Sequence, residues 1–70
     1  MASAPPWTAF PELERHSIGW RMGGGEEAYN AFYRMFSRLS EIERAAYERE
    51  NPPPAEWSDI YDLIRKSPWP

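Results

Sequence analysis

A chain of 70 residues without a single cysteine must hold itself together by packing alone. At this length roughly 60% of the unfolded surface can be buried, so stability is marginal. Small folds usually add disulfides, a metal or a partner. The first is excluded here, and a lone histidine, His16, argues against a structural zinc site, which wants four Cys or His ligands. What remains is aromatic packing. Four Trp, four Tyr and three Phe make up 16% of the chain, and each buried ring removes about 150–250 Å² from water. That apolar surface can hold short helices together or face a partner.

Two triplets divide the chain. Gly23-Gly24-Gly25 closes a segment, residues 16–25, that holds every glycine of the sequence, and three consecutive glycines predict a loop because each loses much conformational freedom on ordering. Within it Ile18, Trp20 and Met22 alternate, which predicts a short extended piece with one apolar face. Pro52-Pro53-Pro54, following Asn51, cannot continue a helix and reads as a spacer between helices. Pro5, Pro6 and Pro11 predict an extended arm over residues 1–11, with Trp7 and Phe10 tucked into grooves of the body.

Three helices are expected between these boundaries. The first covers residues 26–38, with Glu26 and Glu27 at its positive end and Ala28, Phe32, Met35, Phe36 and Leu39 on one stripe. The second opens at Ser40-Glu41-Ile42-Glu43, which fits a capping box. The third covers residues 55–66, where Trp57, Ile60, Tyr61 and Ile64 follow the i, i+3, i+4, i+7 pattern and Arg65 and Lys66 suit the negative end. Residues 67–70 form a tail. The predicted core is Phe32, Phe36, Leu39, Ile42, Ala46, Trp57, Ile60, Tyr61 and Ile64. The fold class is all-α: three short helices in one domain, with a proline-rich N-terminal arm and a glycine-rich loop.

Composition narrows the function. Eleven acidic against eight basic residues give a net charge of −3, which argues against a nucleic-acid partner. No apolar stretch approaches the ~20 residues of a membrane span. The N-terminus lacks the basic and apolar regions of a secretory signal. With no cysteine, these features point to a cytoplasmic protein.

No catalytic constellation is expected. A glycine triplet before a helix suggests a phosphate loop, but that pattern needs Lys-Ser/Thr after its last glycine, and here Glu26-Glu27 would repel phosphate. His16 with Glu12, Glu14 and Ser17 reads as a solvated segment, and Ser17 can cap a local turn. We therefore expect no enzyme, no cofactor and no metal. Trp20-Arg21-Met22 is the most informative piece, because these residue types are enriched at interface cores and binding hot spots. The expected partner-binding set is Ile18, Trp20, Arg21, Met22, Glu26 and Glu27. A small domain must also bury its tryptophans, so Trp20 can pack inward while Arg21 points out. Trp69, between Pro68 and Pro70, docks on the body or stands free.

The run Ser17-Ile18-Gly19-Trp20-Arg21-Met22-Gly23-Gly24-Gly25-Glu26, followed by Leu39 to Arg44, Pro52 to Pro54 and Trp57, resembles a group of small bacterial proteins of unknown function. The resemblance covers residues 16–64. It implies a bacterial or phage origin and a stand-alone protein, and no activity. The expected function is a protein-binding module: an inhibitor, an immunity-type protein or a phage-encoded antagonist of a host system. The rivals are a small-ligand or nucleotide binder using the glycine-rich loop, and a structural subunit of a larger assembly.

Overall fold

A computed structural model describes residues 4–70 and shows an all-α chain. The elements are α1 (Pro6–Ala9), a 3-10 turn (Ile18–Arg21), α2 (Gly23–Arg38), α3 (Glu41–Glu50), a second 3-10 turn (Ala55–Trp57) and α4 (Ile60–Lys66). Residues 1–3 of the proline-rich arm lie outside the described residues.

Local chemistry accounts for most boundaries. Ser40 caps α3 as a full capping box: its Oγ accepts the Glu43 N–H at 3.2 Å, and Glu43 Oε1 accepts the Ser40 N–H at 2.8 Å. Arg44, one turn further, donates to the Phe36 and Ser37 carbonyls at 3.1 and 2.8 Å. It therefore covers the Ser37 carbonyl at the end of α2 and shares the Phe36 carbonyl with the Leu39 N–H, which donates to it at 3.2 Å.

The core is an aromatic cluster. Phe32, Phe36, Trp57, Ile60, Tyr61 and Ile64 are buried, as the helical spacing predicts. Tyr61 packs on Phe36 at 4.9 Å between centroids and gives its hydroxyl to the Asn51 carbonyl at 2.7 Å. Trp7 of the arm inserts against Trp57, Phe32 and Tyr61 at 5.6–6.0 Å.

The structure departs from the sequence pattern at several places. Ile42 was predicted in the core and is 85% exposed. Tyr47 takes the inward position of α3, against Phe32, Phe36 and Tyr61. Five residues at 3.6 per turn set Ile42 about 140° away from Tyr47 around the helix axis. Leu39 and Ala46 are only half-buried. The arm is not extended throughout: Pro6 begins the short α1, because a proline at the first helical position gives up an N–H that would have no partner there. The third helix is split. After Pro54 the chain closes a tight turn, with the Trp57 N–H on the Pro54 carbonyl at 2.9 Å, and the α-helix starts only at Ile60.

Ion pairs tie the outside together. Arg65 holds Glu41 at 2.9 Å, Asp62 at 3.3 Å and also Glu48. The hydrogen bond from Arg65 holds the Glu41 carboxyl below its ordinary range, and the bond from Arg15 does the same to Asp59. A carboxyl depressed in the folded state stabilises the fold above its unfolded pKa and loses that contribution as pH falls through the folded pKa. Burial pushes the Tyr47 phenol up to about 12 and raises Tyr61. A raised phenol leaves stability intact below about 10, the unfolded value, and removes it as pH climbs through the folded one. The melting temperature should therefore be flat from pH 6 to 9. It should fall below about pH 4, and fall again above about pH 10. Circular dichroism melts across pH check this, and a flat alkaline limb would contradict the packing of Tyr47 and Tyr61.

Candidate functional site

The 3-10 turn Ile18–Arg21 is built to be rigid. Ser17 caps it, its Oγ accepting the Gly19 N–H at 3.1 Å, as the sequence suggested. Trp20 folds inward and is 8% exposed. Its indole N–H donates to the Glu14 carbonyl at 2.7 Å, and its ring meets Trp57 edge-on at 5.4 Å. The expected extended piece is thus a helical turn, because burying Trp20 and satisfying its N–H at Glu14 curls the chain back.

The glycine triplet is not a free loop but the first turn of α2, which starts three residues earlier than predicted. Gly23 has φ +58, a left-handed conformation that side chains other than glycine rarely adopt. Gly25 is buried, and a Cβ there would lie 2.1 Å from the Gly19 carbonyl oxygen. The triplet lets the start of α2 lie directly on the Ile18–Arg21 turn. This packing accounts for the glycines without a bound phosphate.

With Trp20 inward, the other members of the expected set remain exposed on the turn and at the start of α2. Ile18 is 69% exposed and Met22 58%, with Arg21 exposed between them and Glu26 and Glu27 exposed just after. Neither Glu26 nor Glu27 pairs with Arg21 among the described residues.

Beside this ridge lies a groove of about 380 Å³ lined by Arg15, His16, Ser17, Trp20, Arg21 and Tyr29. Arg15 is committed to the body. It pairs with Asp59 at 2.7 Å, donates to the Glu56 carbonyl at 3.1 Å, and lies over the Trp57 ring at 4.7 Å. Its own backbone N–H donates to the Glu56 carboxylate at 3.0 Å. Tyr29 reaches the groove from α2, and burial raises its phenol, so it presents an O–H. Arg15 and Tyr29 join the site only through the fold. They are 14 residues apart, and no local pattern marks them as neighbours. Among the described residues no cluster of His, Cys, Asp or Glu could hold a metal ion, and no helix is long and apolar enough to cross a membrane.

Neither a family model, nor a curated protein, nor a solved structure matches the chain.

Proposed function

We propose that the chain is a protein-binding module that works through the outer side of the Ile18–Arg21 turn. The observation that carries this is the exposure of Ile18 and Met22 around Arg21 on a turn that Trp20, Ser17 and Gly25 hold rigid. Apolar side chains left in water on a rigid support contribute to binding at little ordering cost. Arginine and methionine are also enriched at interfaces. Glu26 and Glu27, exposed near the start of α2, would supply a charged rim. An inhibitor, an immunity-type protein or a phage-encoded antagonist of a host system would use such a surface, and none of them requires an enzyme's site.

The test must leave Trp20 alone, since removing a buried indole would damage the fold. An Ile18→Asp, Met22→Asp double variant changes only exposed side chains and should melt within a few degrees of the wild type. Affinity capture from bacterial lysate should yield a stoichiometric partner with the wild type and lose it with the folded double variant. A partner retained by the double variant would move the interface elsewhere on the molecule. If neither protein captures a partner, a thermal-shift screen of nucleotides tests the ligand-binding reading, since a ligand at 100 times its Kd stabilises by about 2.7 kcal/mol.

A further inference from the structure

The groove beside the ridge is lined by hydrogen-bond donors that the fold leaves unused. Among the described residues the Arg21 guanidinium holds no carboxylate, whereas Arg15, Arg44 and Arg65 each hold at least one. Among the described residues neither the Tyr29 hydroxyl nor the His16 ring finds a hydrogen-bond partner. Ser17 accepts the Gly19 N–H, while its own O–H finds no acceptor among the described residues. The indole N–H of Trp20 is already spent on Glu14. A guanidinium, a phenol and a hydroxyl thus line one groove without an acceptor, on a chain whose net charge is −3.

We propose that this groove receives a carboxylate side chain of a protein partner, with the partner's flanking apolar residues resting on Ile18 and Met22. This rests on the binding-module reading above and adds the chemistry of the partner. The planar guanidinium of Arg21 matches a carboxylate through two parallel hydrogen bonds. Tyr29 and Ser17 supply neutral donors for the remaining lone pairs. The charge count favours a carboxylate over a phosphate. Among the described residues Asp59 pairs with Arg15, so Arg21 is the guanidinium of the groove left without a carboxylate partner, and its one positive charge matches one carboxylate. A singly charged group is balanced there, while a doubly charged one is not.

The probe is a capped pentapeptide with glutamate between two leucines on each side, titrated into the labelled full chain by NMR. Its glutamine and phosphoserine counterparts are run beside it. The glutamate peptide should shift the Arg21, Tyr29 and Ser17 resonances saturably. The glutamine peptide should bind about tenfold or more weakly, as loss of a charge-assisted hydrogen bond implies. Arg21→Gln, on an exposed side chain, should keep the melting temperature and lose the glutamate preference. Equal binding of the glutamate and glutamine peptides would overturn the proposal. So would no shift at millimolar peptide, tighter binding of phosphoserine, or an undiminished glutamate preference in Arg21→Gln. The two readings also separate. If the captured partner survives Arg21→Gln but is lost with Ile18→Asp, Met22→Asp, the module stands and the carboxylate groove falls.

Discussion

Gly25→Ala should cost the protein about 2–3 kcal/mol, although alanine is the better helix former by ~1 kcal/mol. The added methyl would sit 2.1 Å from the Gly19 carbonyl oxygen, well inside the normal C···O contact of about 3.3 Å. Both partners belong to the backbone, so no rotamer change relieves the clash. The start of α2 must lift from the Ile18–Arg21 turn, and Trp20, anchored in that turn, must shift against Trp57. At 4–8 °C per kcal/mol for a domain of this size, the melting temperature should drop by roughly 10–20 °C. The neighbouring glycines supply the controls. A Cβ at Gly24 meets only the Phe10 ring, at 3.2 Å, and a side chain can swing aside. Gly23→Ala meets no atom and suffers only from its positive φ, which costs about 1–2 kcal/mol. The expected order of damage is therefore Gly25, then Gly23, then Gly24. A Gly25→Ala protein that melts at the wild-type temperature would refute the close approach of the turn and α2.

Trp57→Ala should leave little folded protein. Trp57 is fully buried, and its ring joins the arm through Trp7, the turn through Trp20 and α2 through Tyr29, all within 6.3 Å between centroids. Arg15 lies over it as well. Truncating a buried tryptophan costs about 3–5 kcal/mol, because the cavity cannot fully collapse. Typical stabilities of 0.05–0.15 kcal/mol per residue leave a chain this short with roughly 4–10 kcal/mol in total. The loss is therefore a large share of the whole. Urea titration should show a midpoint displaced far downward or no cooperative transition, with the near-ultraviolet signal of the packed rings gone. Trp57→Phe should recover a cooperative transition at a reduced midpoint, since a smaller ring still fills part of the space. If the alanine variant unfolds like the wild type, the aromatic cluster is not what holds the chain together.

Ile18, Arg21 and Met22 work as an interface only if the turn beneath them stays in place. The same Gly25→Ala substitution should therefore weaken any partner that the ridge captures, even though Gly25 is buried and cannot touch it.

Much of this architecture was legible along the chain. The capping box at Ser40 and Glu43, the proline stop after Asn51, the Ser17 cap and the face of Trp57, Ile60, Tyr61 and Ile64 all depend on residues no more than seven apart. Spacing alone determines which of those groups can meet. What lay beyond the sequence depended on contacts between distant segments. Ile42 and Tyr47 are both apolar enough for a core, and the face that turns inward is the one where Tyr47 meets Phe32, Phe36 and Tyr61 and Arg44 reaches the end of α2. Three glycines looked like a loop because their entropic cost is local, while the gain that turns them into a helix start comes from the Gly19 backbone pressed against Gly25. Trp20 could have faced either way. It is buried because the Glu14 carbonyl and the Trp57 ring meet at one point in space. The groove, too, exists only in three dimensions, since Arg21 and Tyr29 stand on separate elements and share a cavity through the packing of the turn against α2.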